Sequence, residues 1–370
     1  MKKEIVYKLA ELFCGPGGLA LGATAAFVQN KEAIFRVKPV WANDIDNDAC
    51  LTYNKNIHGD KATVAVCSPI EEIEIKNIPK FDALAFGFPC NDFSIVGKQK
   101  GFKGKFGPLY MYGVKAINFH NPVWFIAENV GGLQSANKGK AFQMILHDLE
   151  KAGMGYNLTA HLFKFEEYGI PQYRHRIIIV GIRKDFNLKF KVPMPTNINS
   201  FISAREAIEE PPISADAPNN EITKQSNIVV ERLRHIPPGE NAWYEGIPEQ
   251  LRLNVKGAKL SQIYKRLDPT KPAYTITGSG GGGTHVYHWD EPRALTNRER
   301  ARLQSFPDNF IFEGSKESVR KQIGMAVPPL AAKHIIEAIL MTLAHIEYKA
   351  VPAKLSNGNS CIQGLLNLYT

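Results

Sequence analysis

What most constrains this chain is a rhythm in its first half. Short apolar runs, each about the length of a strand, alternate with stretches of helical period. Tyr7-Lys-Leu-Ala-Glu-Leu-Phe13 reads as a strand, with a glycine-rich turn and a helix through Phe27 behind it. Val40-Trp-Ala-Asn43 reads as a second strand, with a helix from Asp46 to about Asn54. Phe81–Phe86 and Val123–Ala127 add strands, Gln143–Ala152 a helix, and Arg176–Ile182 a strong further strand. Strands separated by helices pair in parallel, so this order predicts an α/β fold built on a parallel sheet.

The rhythm fails from Lys191 to about Arg293, where prolines and glycines are frequent and helical periods are short. Gly278–Gly283 holds one serine among glycines and must be a loop. Thr296–Gln304 and Pro328–Ile346 then read as helices, the second apolar enough to pack against the first domain. The expected organisation is a first domain over 1–190, a smaller irregular domain over 191–292, a return over 293–349 and a tail over 350–370.

A formal charge of +9 favours a polyanionic partner. The charge has a focus: between Ser94 and Lys115 there are five lysines and no acid. They are Lys98, Lys100, Lys103, Lys105 and Lys115, punctuated by glycines. Such a loop can grip phosphates, or can simply be a solvated loop. Five cysteines without a C-x-x-C pair argue against a disulfide framework and a zinc site, so no metal is expected. No apolar run approaches the roughly 20 residues that span a bilayer. The first residues run into a strand without a signal-peptide core, so a cytoplasmic chain with no membrane partner is expected.

Two stretches carry chemistry. Glu11-Leu-Phe-Cys-Gly-Pro-Gly-Gly-Leu-Ala-Leu-Gly22 joins a strand to a helix, and its glycines let a ligand approach the backbone. Gly15-x-Gly17-x-x-Ala20 fits a nicotinamide or an S-adenosylmethionine site equally. Asp44, ending the second strand, is the expected acceptor for ribose hydroxyls, and Asp46 the expected cap of the next helix. The other stretch is Gly87-Phe-Pro-Cys-Asn-Asp-Phe-Ser94, directly after an apolar strand. Cys90 there is either a small core hydrophobe or a nucleophile.

Phe88-Pro-Cys-Asn-Asp-Phe-Ser94 resembles the catalytic Pro-Cys motif of the DNA cytosine-5 methyltransferases. Glu128-Asn-Val130, Gln172-Tyr-Arg-His-Arg176, Arg293–Pro307 and Gln322-Ile-Gly-Met-Ala-Val-Pro328 resemble further motifs of that family, in its order. The resemblance runs over roughly residues 8–340, the variable part of the insert excepted. It implies a Rossmann-like, S-adenosylmethionine-dependent methyltransferase sheet with a smaller, irregular, mainly β target-recognition domain. It makes Cys90 the nucleophile toward cytosine C6, Glu128 the acid at N3, Arg176 the group at O2, and Arg174 a holder of phosphate or of the cysteine. Cofactor contacts are implied at Phe13, Gly15, Gly17, Gly18 and Leu19, at Asp44, Ile45 and Ser68, at Phe88, Pro89 and Leu109, and at Met325, Ala326 and Val327. The implied partner is double-stranded DNA with its cytosine flipped out of the stack. Ser94 and the lysine loop would close on that DNA.

The chain departs from the family's pattern at three places. Asn91 stands where Gln is usual, and Met325 where Asn is usual. Both positions line the family's cofactor pocket, and the two are expected to have changed together. Ser68-Pro-Ile70 stands where Asp-Ile is common; Ser68 can replace the acid, but Pro69 has no N–H. Between about 200 and 261 there are seven Lys and Arg against nine Asp and Glu, so base readout is expected from few side chains. Arg232, Arg234, Asn241 and Arg252 are the candidates, with Thr275 and Thr277 at the shared end of the recognition segment. A bacterial, monomeric enzyme is expected, with any cognate restriction endonuclease acting separately. The related RNA-methylating branch shares these motifs, but the insert of about a hundred residues favours DNA. A catalytically idle DNA-binding homologue is disfavoured by Cys90, Glu128 and Arg176 standing intact.

Overall fold

The computed structural model describes residues 2–58, 64–88, 109–134, 139–254, 260–278 and 281–355. By internal packing the chain forms two compact units. The first comprises Met1–Lys164, His175–Met194 and Ala332–Thr370, and the second Phe165–Arg174 and Pro195–Ala331.

The first unit is a sheet of eight strands: β1 (Lys3–Leu12), β2 (Phe27–Gln29), β3 (Ala33–Asp44), β4 (Ala65–Cys67), β5 (Ala83–Gly87), β6 (Trp124–Val130), β7 (Tyr156–Lys164) and β8 (His175–Arg183). The order is β2-β3-β1-β5-β6-β8-β7, with β4 also paired to β3. β3, β1, β5 and β6 run parallel, as does β4 on β3. β8 and β7 add an antiparallel edge, and β2 is antiparallel to β3, so the sheet is mixed. Central β5 is buried over Ala83–Phe86, as a strand covered on both faces must be. Between strands lie α1 (Gly18–Ala25), α2 (Asn47–Tyr53), α3 (Tyr110–His120) and α4 (Lys140–Lys151). α4 buries Ala141, Phe142, Ile145 and Leu149, one face at helical spacing. Asp46 caps α2, accepting from the Ala49 amide at 3.3 Å. Lys115, counted with the cationic loop by sequence, instead lies on α3, its ammonium 4.6 Å from the centre of the Tyr112 ring.

The second unit is irregular, as the prolines and glycines require. Its helices are α5 (Ala204–Glu209), α6 (Asn227–Arg234), α7 (Asn297–Leu303) and α8 (Lys316–Met325). The mainly β content expected here is present among the described residues only as the isolated bridges Gln172–Ala273, Arg266–Tyr287 and Tyr287–Ala294. A small core gathers Leu233, Ile236, Ile247, Tyr264 and Tyr287. Long side chains finish what ladders do not. Buried Arg298 donates to the carbonyls of Pro218, Pro307 and Phe310. Buried Arg266 donates to those of His288, Leu233 and Ile236. The segment 293–331, grouped by sequence with the return to the first domain, packs inside the second unit, and the Arg298–Pro218 bond is one of its ties there.

The chain then enters α9 (Pro329–Leu343), opened by a proline at its first position. Lys316–Leu343 is apolar and long enough to cross a membrane by composition, contrary to the sequence reading. It is α8 and α9 in succession, and 67% of its apolar window is buried inside the protein, which is core packing. A short pair, β9 (Val192–Pro193) with β10 (Ala350–Val351), closes the first unit.

Candidate active site

In an open α/β sheet, ligands sit beyond the carboxyl ends of the parallel strands. Here those ends deliver the residues singled out by sequence. β1 ends in the glycine turn, β3 in Asp44, β5 in Phe88 and β6 in Glu128-Asn129-Val130. Pro89, Cys90, Ser94, Lys98, Lys100, Lys103 and Lys105 lie outside the described residues, as does Asn91.

The approach to Cys90 is well defined. Gly87 pairs with Glu128 across β5 and β6, so the carboxyl-bearing residue lies level with the last residue of β5. Arg176, the second residue of β8, lies opposite Val130 on the antiparallel neighbour of β6. Its Nε stands 3.0 Å from Glu128 Oε1, and both side chains are mostly buried. One Arg176 terminal nitrogen also donates to the His175 carbonyl at 2.8 Å. Asn129, unmarked by the sequence reading, is buried and donates its amide to the Phe88 carbonyl at 3.0 Å. That bond ties the segment entering Pro89-Cys90 to the strand that carries Glu128. Its signal in the sequence was its place inside Glu128-Asn-Val130.

The glycine turn is built for close approach. Gly17 has φ +92°, and a Cβ there would lie 2.8 Å from the Tyr53 ring. Phe13 also takes a positive φ of +57°. Asp44 holds this turn: Oδ2 accepts from the Gly15 amide at 2.8 Å and Oδ1 from the Asp46 amide at 3.0 Å. Burial raises the Asp44 pKa, while these amides draw it back. Each oxygen keeps a further lone pair for a ligand. Beside Asp44, Ile45 is 71% exposed, an apolar face suited to a planar base. The Ser68 amide donates to the Asp44 carbonyl, and its hydroxyl to Glu72 Oε2 at 2.9 Å. Glu72 therefore places a carboxylate at the Ser68 hydroxyl. Leu109 and Phe88 are buried in the core of the first unit. Under the turn, the Tyr53 hydroxyl donates to Glu11 Oε1 at 2.7 Å, and burial lifts the Glu11 pKa to about 7. These features fit S-adenosylmethionine: an amide-lined turn, a carboxylate beside it and an apolar flank.

The second unit treats its candidates differently. Arg174 is 2% exposed and donates to the carbonyls of Ile276, Gly324 and Ala326. Its terminal nitrogens thus hold the 324–326 backbone. Buried Gln172 donates to the Leu303 carbonyl and Gln304 Oε1, and accepts from the Ile276 amide. Gly324 must be glycine, because a Cβ would stand 2.1 Å from the Gly278 nitrogen. Met325 is 67% exposed and Ala326 is buried; Val327 follows before Pro328. Of the expected base readers, Arg232 is buried on the Leu251 carbonyl, and Arg252 donates to the Ile247 and Glu245 carbonyls. Both side chains are thus tied to backbone carbonyls, and Arg232 also lies over the Tyr264 ring. Asn241 is likewise engaged, with the Ser261 carbonyl and the Trp243 amide. Arg234 stays exposed, paired with Glu231. The Thr275 hydroxyl donates to the Tyr173 carbonyl at 2.6 Å.

A sheet of this order, a nucleotide-type turn on β1 and an acid–arginine pair level with the last residue of β5 fit a methyltransferase. Residues 7–341 match the family described as C-5 cytosine-specific DNA methylase, and the chain belongs to that family. It is 59% identical over 355 residues to the Type II methyltransferase M.BbvI of Brevibacillus brevis, covering 94% of each chain. It is 43% identical to the Type II methyltransferase M.NgoFVII of Neisseria gonorrhoeae, covering 90% of this chain and 86% of the other. A solved E. coli structure, titled a putative DNA modification methyltransferase encoded within a prophage, shares the fold. Its TM-score is 0.70 at 24% identity, over 91% of this chain and 99% of that one. The protein is thus a DNA (cytosine-5-)-methyltransferase, and S-adenosylmethionine is its cofactor.

Proposed function

We propose that this enzyme flips a cytosine out of duplex DNA and methylates it through Cys90, with Glu128 and Arg176 holding the ring. The Glu128–Arg176 pair carries this reading, at 3.0 Å and level with Gly87, three residues before Cys90. Cytosine C5 is too weak a nucleophile to be methylated unaided. The Cys90 thiolate adds to C6, and the displaced electrons move toward N3. Glu128 holds a proton at N3 and receives that density, while Arg176 donates to O2. C5, now enamine-like, bonds to the incoming carbon. Bound S-adenosylmethionine would supply that carbon as a methyl group on a sulfonium, the S–CH3 bond breaking as the new bond forms and its electron pair staying on sulfur as a neutral thioether. A base, water-assisted, then removes the C5 proton, the C5–C6 double bond re-forms, and the Cys90 thiolate leaves.

The glycine turn from Phe13 through Gly15, Gly17, Gly18 and Leu19 is proposed to hold the amino-acid end of the cofactor, Asp44 its ribose, and Ile45 with Ser68 and Glu72 its base. Phe88, Pro89 and Leu109, and in the second unit Met325, Ala326 and Val327, are proposed contacts by resemblance. Asn91 and Met325 are proposed to have changed together. Asn91→Gln and Met325→Asn, singly and combined, should be non-additive in cofactor affinity and turnover; simple additivity removes the coupling. Ser94, the lysine loop, Arg234, Thr275 and Thr277 are proposed DNA contacts. Residues 191–292 are proposed to carry target recognition, in a monomeric cytoplasmic enzyme whose cognate endonuclease, where present, acts separately.

Duplex DNA containing 5-fluorocytosine tests the mechanism, because fluorine cannot leave as a proton does. The wild type should form a denaturation-resistant adduct in the presence of S-adenosylmethionine, and Cys90→Ala none. An adduct that survives Cys90→Ala overturns the assignment.

A further inference from the structure

The buried arginines of the second unit are of two kinds. Arg174, Arg266 and Arg298 each spread a guanidinium over three or more carbonyls. Arg300 and Arg320 do not. Arg300, on α7, is 3% exposed. Its contacts are two at 3.4 Å, from Nε to the Leu295 carbonyl and from a terminal nitrogen to His285 Nδ1. Arg320, on α8, has a side chain 12% exposed. Its Nε is buried without a hydrogen-bond partner. Its ion pair with Glu317 is long, at 3.8 Å, and the Glu317 side chain is 87% exposed. Glu299, next to Arg300 in the chain, is occupied by Arg293 through two 2.8 Å bonds.

His285 is buried beside them. Burial, then the charges of Arg300 and Arg320, press its pKa down to about 4, so its ring is neutral at ordinary pH. Burial, then Arg320, also brings Arg300 down to about 10. The two arginines therefore feel each other's charge, and the carboxylates near them are Glu317, which is solvated, and Glu299, which Arg293 already holds. Buried cations left this way are costly, and an anion with several acceptor oxygens relieves the cost.

We propose that Arg300 and Arg320, flanked by His285, form a binding site for one phosphodiester group of the DNA backbone. Arg320, partly open to solvent, makes the entry contact through a terminal nitrogen, and Arg300 completes the charge from beneath. Guanidinium forks match the oxygens of a phosphate and keep their charge at every working pH. Such a contact fixes the position of the duplex and reads no base. The site rests on duplex DNA being the substrate, which methyl transfer to the same duplex checks separately.

The test measures duplex binding against salt for the wild type, Arg320→Gln and Arg300→Met, using one duplex that is methylated and one that is not. Each variant should weaken both duplexes by a similar factor and lower the slope of log Kd against log salt by about one. S-adenosylmethionine affinity without DNA should not change. Inorganic phosphate should raise the melting temperature of the wild type and not of Arg320→Gln, a comparison that holds even if Arg300→Met fails to fold. An unchanged salt slope in Arg320→Gln overturns the proposal, whatever its melting temperature. A phosphate response lost without any change in DNA binding also overturns it, because the site would then hold a free anion and not the duplex.

Discussion

The two units solve one problem by different means. Every buried carbonyl needs a donor. In the first unit, strands supply the donors to each other: β1 pairs with β3 over ten residues and with β5 over four. Glu128, Arg176 and Asp44 there are proposed for chemistry. In the second unit, described residues form few ladders, and Arg174, Arg266 and Arg298 supply donors to carbonyls. Long cationic side chains are mostly framework in the second unit, while in the first Arg183 is framework and Arg176 is proposed as a reagent. The lesson is that an arginine in a motif must be read by what its fork touches.

Four substitutions bear on that contrast. The largest effect belongs to Glu128→Gln. Turnover should fall by about 10²–10⁴-fold, with little change in stability, since the ladder of β6 is untouched. A radiolabelled methyl-transfer assay beside a melting curve checks this, and a large loss of stability would break the contrast. Next comes Arg298→Met, which orphans three carbonyls at roughly 1–3 kcal/mol each in the worst case. Urea unfolding should show a loss on the order of 3–5 kcal/mol, and a loss below about 1 kcal/mol would mean that these carbonyls find other donors.

Glu11 gives the third, through pH. Its carboxyl titrates near 4.5 when unfolded and about 7 when folded. A raised carboxyl stabilises fully below the unfolded value, and that contribution is lost as pH rises toward the folded one. Between about pH 4.5 and 7 the wild type should therefore lose up to about 3 kcal/mol relative to Glu11→Gln. Stability curves of the two proteins that run parallel across this range would show that Glu11 is not protonated in the fold. The smallest effect is Asp46→Ala, which removes the α2 cap and should cost about 1 kcal/mol. Hydrogen exchange should localise that loss to α2.

The strands were legible where both faces are buried, because their apolar runs are continuous. Phe81–Phe86 led to β5 (Ala83–Gly87), and Arg176–Ile182 to β8 (His175–Arg183). β2, β4 and β7 escaped: the first two are only three residues long, and β7 mixes Asn157, Thr159 and His161 into its run. Thr296–Gln304 was legible as a helix because Thr296 and Glu299 form a capping box, visible as residue types alone. Glu128, Arg176 and the glycine turn could be read as motifs. What Arg232 and Arg252 do could not, because their partners are backbone carbonyls, which every residue carries and no sequence marks. Asn129 and Glu72 were missed for a related reason: their meaning lies in Phe88 and Ser68, not in themselves.

The carbonyl-grasping arginines have a further consequence. A guanidinium that holds main-chain oxygen is indifferent to which side chains the held segment displays. Pro218, which is not in the core, could be rewritten in kind and still offer the same oxygen, whereas Leu233 and Phe310 are buried and fixed by packing as well. The second unit can thus change its exposed wording while its scaffold stays put. A modification enzyme that must follow a drifting target site gains from such a frame, because new specificities can be sampled without first inventing a new fold.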